Sequence, residues 1–167
     1  MSTATATATD TATDTATSRL VTPQGRMMVT MDRITRKVMI WLTNRGISIL
    51  DSRMLAVRGR KSGEWRTTPV NLLTLDGERY LVAPRGHTQW VRNMRAAGGG
   101  ELRLGRKAEA FAAVELADAD KPVVLRHYLK RWAWEVGYFF DGITADSPEE
   151  ELERIAPGFP VFRVTAV

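Results

Sequence analysis

Residues 58–69, read as RGRKSGEWRTTP, combine the side chains from which proteins build binding sites for anions. An arginine presents a planar fork of N–H groups that matches two oxygen atoms of a phosphate or carboxylate, and a lysine adds a compact charge. A serine hydroxyl and backbone N–H groups complete such a site where glycine lets the chain approach a ligand closely. The residues that could serve here are Arg60, Lys61, Ser62, Gly63 and Arg66.

This segment differs from the nucleotide-binding loop in which glycine, lysine and serine open a helix. The residues on both sides have the alternation that is typical of strands, so we expect the basic residues in a turn between two strands. A solvated hairpin tip could have the same composition. The residue pattern alone therefore leaves an anion site and a solvated turn open.

Other chemistries find less support in the sequence. Cysteine is absent, which excludes a thiolate nucleophile and a disulfide framework. The chain has two histidines, His87 and His127, so we expect no metal site, and we expect His127 to be structural or exposed. We find no convincing Ser-His-Asp set and no paired carboxylates.

Charge is distributed unevenly along the chain. Residues 19–107 contain eighteen Lys and Arg against six Asp and Glu, a balance of +12, whereas residues 108–167 contain six against eleven, a balance of −5. A positive field attracts phosphates, carboxylates, nucleic acids or anionic membranes. No helix-turn-helix, RNA-binding or zinc-finger pattern is present, so a small anion is favoured over a specific nucleic acid. An arginine-rich solvated surface is the alternative.

Five or six strands are predicted around the basic turn. MLAVRGR and RTTPVNLLTLD flank it, and the second leads through the turn pair Asp76-Gly77 into RYLVAP. ELRLG and EAFAAVELA form another hairpin, and PVFRVTAV is the last strand. Inserted helices make this an α+β pattern, which favours a small antiparallel barrel.

Three helices are predicted between these strands. HTQWVRNMRAA reads as a short helix that ends at a flexible Gly98–Gly100. The segment from about Asp118 to Val136 reads as a helix with Asp118 as its N-cap. SPEEELERIA reads as a compact helix with Ser147 as N-cap and Pro148 at its first position.

The beginning of the chain is expected to lie outside the barrel. Residues 1–18 are a Thr/Ala-rich run in which we expect disorder, and residues 19–167 are expected to form one domain. Residues 26–46 read as a basic amphipathic helix that packs on the domain, rests on an anionic membrane or covers a site. We find no secretory signal and no membrane span. We therefore expect a cytoplasmic protein, at most peripheral to the inner face of the membrane.

Three motifs, GRKSGEWRTTPV, DGERYLVAPRG and WVRN, resemble the deazaflavin (coenzyme F420)-dependent nitroreductase family, which is mainly actinobacterial. The resemblance runs from about Met54 to Val164. It implies a split β-barrel with peripheral helices, related to the flavin-binding pyridoxamine-phosphate oxidases. It also implies F420 as the cofactor, with FMN less favoured. F420 carries a phosphodiester and an oligoglutamate tail, to which a loop rich in arginine and lysine is the physical complement.

The resemblance implies roles for particular residues. The basic turn would meet the phosphate or the glutamate tail, Thr68 and Pro69 would lie along the deazaflavin ring, and residues 83–86 would contact the ring edge or the ribityl chain. Trp90 and Asn93 occupy helix positions typical of the family, although Trp90 could equally be a core anchor. The implied cofactor-binding residues are Arg60, Lys61, Ser62, Gly63, Arg66, Thr68, Pro69, Ala83, Pro84, Arg85, Gly86, Trp90 and Asn93.

The implied activity is hydride transfer from the reduced deazaflavin to a small electron-poor acceptor such as a quinone or a nitro compound. Trp134, Tyr138 and Phe139 could line the acceptor pocket, or they could belong to an aromatic core between helix and barrel. Tyr138, His87 or solvent could deliver the proton. The alternative is a non-catalytic protein that binds F420, another flavin or a lipid on the same fold. A homodimer stays open, because related split barrels often dimerise.

Overall fold

The computed structural model describes residues 52–167. The predicted tail at 1–18 and the predicted basic helix at 26–46 lie outside the described residues, so their outcome stays a prediction. Within the described part, six antiparallel strands close into a barrel in the order β1-β2-β3-β6-β5-β4. The strands are β1 Ser52–Arg58, β2 Trp65–Leu75, β3 Glu78–Val82, β4 Gly99–Leu104, β5 Lys107–Glu115 and β6 Val161–Ala166.

Three α-helices are inserted between these strands. They are α1 Gln89–Ala97, α2 Lys121–Val136 and α3 Glu149–Ile155. Short 3-10 turns at Asp118–Asp120, Gly137–Phe140 and Ala156–Gly158 adjoin α2 and α3. This arrangement confirms the predicted α+β barrel with peripheral helices.

The barrel encloses one hydrophobic core, and α1 closes one of its ends. Leu55, Leu81, Phe111 and Phe162 fill the interior, and α1 contributes Val91 and Met94 to the same cluster. Since neighbouring residues of a strand face opposite sides, the strands also present apolar residues outward. The interior side chains therefore fix the position of α1 beside the turn between β1 and β2.

A second core lies between the outer face of the barrel and the other two helices. Trp132 and Leu129 of α2 and Leu152 of α3 are fully buried there. They pack with Val82 and Val161, the outward-facing residues of β3 and β6. The helix pair is thus attached to the barrel by burial of apolar surface on both sides.

The predicted hairpin turn at Asp76-Gly77 is confirmed. Leu75 pairs with Glu78 across it, and the two turn residues have φ values of +52° and +81°. Two positive φ values are the backbone of the two-residue turn that matches the twist of a hairpin, and Asp-Gly is among the pairs that adopt it most readily.

The glycine run after α1 differs from its prediction as a flexible end. Gly98, with φ +67°, is the left-handed residue that ends the helix, but Gly99 and Gly100 are the first residues of β4. A Cβ on Gly99 would lie 2.3 Å from the carbonyl oxygen of Phe111, and one on Gly100 would lie 2.4 Å from that of Ala56. These glycines are required because the neighbouring strands approach too closely for a side chain.

Both predicted N-caps were wrong. Asp118 lies in a 3-10 turn and the helix begins at Lys121, so the Asp118 carboxylate instead accepts a hydrogen bond from the buried Lys121 ammonium at 2.5 Å. Ser147 lies one residue before the cap position, which Pro148 occupies, and its hydroxyl accepts the N–H of Thr144 at 3.1 Å. In both cases a local hydrogen bond competes with capping.

Candidate functional site

The turn between β1 and β2 is closed by its own backbone. The N–H of Gly59 donates to the carbonyl oxygen of Glu64 at 2.8 Å, and the N–H of Gly63 donates to that of Gly59 at 2.7 Å. Gly63 has a φ of +69°, which L-residues rarely adopt, and Arg58 Nη1 donates to its carbonyl oxygen at 3.1 Å. The glycines therefore set the shape of the turn and leave its basic side chains exposed.

Arg60 is fixed against α1. Its Nη1 donates to Gln89 Oε1 at 3.0 Å and to Asn93 Oδ1 at 2.9 Å. Its backbone N–H donates to the same Asn93 oxygen at 3.3 Å. Asn93 is buried, with 6% of its surface exposed. The structure thus brings together two of the predicted site residues that are 33 positions apart in the chain.

Lys61 and Ser62 form the exposed tip of the turn. Within residues 52–167, their backbone N–H groups donate to no acceptor, and the Lys61 ammonium has no ion-pair partner. Ser62 Oγ accepts the N–H of Glu64 at 3.3 Å, and its hydroxyl hydrogen has no acceptor within residues 52–167. The exposed tip therefore carries donors without partners in residues 52–167, as an anion site requires.

Arg66 follows the turn at the start of β2. Its Nη2 lies 3.0 Å from Glu64 Oε2, and both side chains are more than half exposed. An exposed ion pair contributes little net stability. An incoming anion can therefore replace Glu64 as the partner of Arg66 without large cost to the fold.

β2 continues past the end of its neighbour β3. Residues 65–71 pair with β1, but only residues 72–75 pair with β3. Within the described part of the chain, residues 65–71 thus have a ladder partner on one side alone. Pro69 suits this position because a proline cannot donate to a second strand. The predicted ring contacts, Thr68 and Pro69, are half-buried and lie along this unpaired edge.

Residues 83–86 form a tight turn after β3. The N–H of Gly86 donates to the Ala83 carbonyl oxygen at 3.0 Å, and the N–H of Ala83 donates to the Pro160 carbonyl oxygen at 2.9 Å. Ala83 is buried in the barrel core, Pro84 and Gly86 are half-buried, and Arg85 is exposed. Of these predicted contacts, Arg85 is therefore the side chain most open to a ligand.

Trp90 packs against the barrel interior. It is half-buried, and its ring centre lies 5.8 Å from that of Phe162. The contact accounts for Trp90 as an anchor of α1. Its predicted contact with a cofactor stays a prediction.

The aromatic residues at the end of α2 lie near the turn at 83–86. Tyr138 and Phe139 have ring centres 3.9 Å apart, and the Arg85 guanidinium lies 5.6 Å from the centre of the Phe139 ring. Tyr138 and Trp134 are each 69% exposed, whereas Phe139 is half-buried. Arg85 therefore connects the predicted cofactor residues with the predicted acceptor residues.

His87 is exposed beside the third 3-10 turn. Its Nε2 lies 3.2 Å from the carbonyl oxygen of Pro157. A carbonyl oxygen can only accept, so Nε2 carries the hydrogen of this contact. In the neutral ring, Nδ1 is then the nitrogen that can accept a proton. His127 is also exposed, and its Nδ1 contacts the Val123 carbonyl oxygen within α2 at 2.9 Å.

A buried polar cluster fastens β2 to α2 behind the unpaired edge. Asn71 Nδ2 donates to Glu135 Oε2 at 3.0 Å, and Ser52 Oγ donates to Asn71 Oδ1 at 3.2 Å. Burial raises the pKa of the Tyr128 phenol, against the opposing effect of its hydrogen bond with Asn71. The burial of Ser52, Asn71 and Tyr128, with the hydrogen bonds among these elements, indicates a structural role for this cluster.

The sequence did not single out three residues near the basic turn. Arg58 stacks on the Trp65 ring, with its guanidinium carbon 4.1 Å from the ring centre. Both line an open groove of about 370 Å³ that continues over Gly98–Gly100 and β5. The third residue is Gln89, which holds Arg60. Adjacency to the turn could have indicated Arg58 and Trp65, but Gln89 is distant in sequence.

Comparisons with known proteins point to one family. The model of the F420H(2)-dependent quinone reductase family matches residues 27–138, about two thirds of the chain. No curated protein gives a match.

Among solved structures, an F420-H2 dependent reductase (FDR-A) has a TM-score of 0.50 at 20% identity, covering 69% of this chain and 94% of that one. A structure described as a domain-swapped dimer has a TM-score of 0.50 at 20% identity, covering 83% and 99%. Protein Atu2129 of Agrobacterium tumefaciens, of unknown function, has a TM-score of 0.52 at 16% identity, covering 88% and 57%. These structural likenesses show a shared fold.

Proposed function

The chain belongs to the F420H(2)-dependent quinone reductase family, and from that premise we propose that it transfers a hydride from reduced F420 to a quinone. The family match confirms the resemblance to deazaflavin-dependent enzymes and coenzyme F420 as the cofactor. The same match supports an oxidoreductase activity. Reduction of nitro compounds stays a prediction.

The single observation that carries the proposal is the form of the basic turn. Its cations are exposed, and the N–H groups of Lys61 and Ser62 lie at the exposed tip of the turn without an acceptor in residues 52–167. Such a set fits a phosphodiester and several carboxylates, which need multiple donors near one another. The residues present therefore fit the anionic end of F420.

The unpaired edge of β2 fits the flat part of the cofactor. Thr68 and Pro69 lie along this edge, next to the basic turn in sequence and in space. Residues 83–86 follow β3, the strand whose early end leaves the edge open. In the proposal, the turn holds the charged end, and these two segments orient the ring and exclude water from one of its faces.

When bound, reduced F420 supplies the hydride, and the quinone takes this hydride and one proton to become a hydroquinone. The chain's contribution is then to hold the two molecules in contact. Tyr138 and Phe139 offer two adjoining, tilted rings against which a quinone can pack, and Trp134 adds an exposed indole four residues earlier on α2. Arg85 beside Phe139 supplies a positive charge where the acceptor gains electron density.

The proton has two candidate sources on the chain besides solvent. Tyr138 presents an exposed phenol, and His87 can donate a proton from Nδ1 when both ring nitrogens carry one, because its Nε2–H is directed at the Pro157 carbonyl oxygen. Tyr138→Phe and His87→Gln separate them, since a proton donor affects kcat and its pH profile, whereas a binding residue affects mainly KM.

Fluorescence titration of F420 tests the binding half of the proposal. The Arg60→Ala/Lys61→Ala variant should bind F420 at least about ten-fold more weakly, because hydrogen bonds to charged groups are lost. The matched control is Arg106→Ala/Lys107→Ala, which removes the same charge from the β4–β5 hairpin at the far end of β4. Equal weakening by both pairs would mean that only net charge matters, and no binding by the wild type would reject the proposal.

Turnover with F420H2 tests the catalytic half. Quinones and nitro compounds are offered in parallel, and Trp134→Ala/Tyr138→Ala should raise the KM for the quinone several-fold while leaving the affinity for F420 unchanged. Tight F420 binding without reduction of any acceptor would favour the alternative, a non-catalytic binding protein. FMN is titrated alongside to compare the two cofactors.

Two further expectations belong to the same proposal. We propose a homodimer, for which the similarity to a structure described as a domain-swapped dimer gives support, and light scattering on the purified protein measures it. No helix in residues 52–167 is long and apolar enough to cross a membrane. Peripheral contact through residues 26–46 stays a proposal, and vesicle co-sedimentation of the full chain tests it.

A further inference from the structure

Arg60 is held differently from the arginines that pair with carboxylates. Arg60 donates to two amide oxygens, those of Gln89 and Asn93. An amide oxygen is neutral, so the guanidinium is fixed in place and keeps its full charge. The carboxylate-paired arginines of residues 52–167 are Arg66 with Glu64, Arg79 with Glu109, Arg95 with Glu115 and Arg103 with Glu101.

The way Arg60 is held leaves one edge of its guanidinium available. An arginine has five N–H donors, and the contacts to Gln89 and Asn93 both use Nη1. Within residues 52–167, Nε and Nη2 meet no acceptor. These two nitrogens form the parallel pair of donors that binds a phosphate or carboxylate through two oxygens. The orientation of Arg60 is therefore set from the side opposite to a ligand.

Gln89 is the part of this arrangement that has no role in the core. It is exposed at the first position of α1, whereas Asn93 is buried and also accepts the backbone N–H of Arg60. Arg58, Lys61 and Arg66 lie close in the same turn, and like charges repel. A second neutral acceptor on α1 opposes this repulsion and restricts the rotamers of Arg60.

We propose that Gln89 is a positioning residue for the anionic end of the cofactor. It acts through Arg60 and makes no contact with the cofactor itself, and the identity of that ligand rests on the proposed function. An arginine that is ordered before binding loses less side-chain entropy when the ligand arrives. Gln89 should therefore affect affinity only while Arg60 is present.

A double-mutant cycle measures this dependence. F420 is titrated into the wild type, Gln89→Ala, Arg60→Ala and the double variant, and inorganic pyrophosphate is titrated into the same four proteins. Gln89→Ala should weaken binding of F420 about five-fold in the presence of Arg60 and have no effect in its absence. Alanine is favourable in helices, so thermal unfolding of this variant should match that of the wild type.

Gln89→Glu tests whether the bound anion lies beside Arg60. Glutamate keeps an acceptor for Arg60 but adds a negative charge beside the anion. If Gln89 positions Arg60 for an anion, this variant should bind F420 more weakly than Gln89→Ala does. If the glutamate variant bound like the wild type, no anion would lie beside Arg60, and the proposal would be wrong.

The two probes keep this inference distinct from the proposed function. Absence of F420 binding by the wild type would reject the function, and the pyrophosphate cycle would then decide the role of Gln89. Equal weakening by Gln89→Ala with and without Arg60 would indicate direct contact and overturn the proposal. The proposal would also be overturned if Gln89→Ala did not change the affinity while Arg60 is present. It would likewise be overturned if the wild type bound neither F420 nor pyrophosphate.

Discussion

Arg95 and Glu115 form a bidentate ion pair between α1 and β5. Arg95 Nε and Nη2 donate to the two oxygens of Glu115 at 2.6 and 2.7 Å. This hydrogen bonding, with a smaller contribution from the charge of Arg95, lowers the pKa of Glu115 against the opposing effect of burial. Ionised Glu115 therefore stabilises the position of the helix that carries Gln89 and Asn93.

Glu115→Gln should lower the free energy of unfolding by about 1 kcal/mol at neutral pH, since both partners are partly exposed. A lowered folded pKa means that the stabilisation is present above the usual carboxyl value of 4.5 and is lost as the pH falls through the folded pKa. Urea titrations at neutral pH and at about pH 3 should therefore show that the difference in free energy of unfolding between the wild type and Glu115→Gln is smaller in acid. Glu153→Gln, which removes an exposed carboxylate unpaired within residues 52–167, should show no such change.

Single residues also show the limit of reading a site from sequence. The strand-like alternation on both sides of residues 58–66 predicted a turn there, and its arginines, lysine and glycines left an anion site and a solvated turn open. The contact of Arg60 with Gln89 could not be predicted, since it joins positions 29 apart whose distance is set by the packing of α1. Asn93 was expected near the cofactor, and the structure adds that it holds Arg60.

At the scale of elements, the start of β4 depends on glycine. Gly100→Ala should lower the free energy of unfolding by about 3 kcal/mol or more, because its Cβ would meet the Ala56 carbonyl oxygen and force the strands apart. Gly98→Ala should cost only about 1 kcal/mol, since no atom lies within 4 Å of its Cβ and only the positive φ is unfavourable. Chemical denaturation of both variants measures the contrast, and equal costs would contradict this account.

Strands and helices could be predicted from the sequence where local patterns determine them. The alternating segments and the Asp76-Gly77 turn were recognised, because period-two burial and turn chemistry are local properties. The glycines of β4 were misread as a flexible end, since their requirement comes from strands distant in sequence. The pairing of β1 with β4, which closes the barrel, is likewise a long-range property.

At the scale of the molecule, the two hydrophobic cores share strands. On β3, Leu81 faces the barrel interior and Val82 faces the helices, and on β6, Phe162 and Val161 do the same. Loosening of the helix layer therefore removes packing from the outer face of strands that also enclose the barrel. We infer that both cores unfold as one cooperative unit.

Leu129→Ala in α2 tests this inference, with Leu55→Ala in β1 as its partner from the barrel interior. Both side chains are fully buried, so each truncation should cost about 2–5 kcal/mol. α2 packs on another face of the barrel than β4 and β5. If the molecule nevertheless unfolds as one unit, Leu129→Ala should accelerate amide hydrogen exchange in β4 and β5. The acceleration should equal that caused by Leu55→Ala when the two variants lose the same free energy of unfolding. Unchanged exchange in β4 and β5, with an early melting step of the helices alone, would instead mean that the barrel is stable by itself.

The site would then be divided as well, because the basic turn and α1 belong to the barrel while the aromatic residues at 134–139 belong to the helix layer.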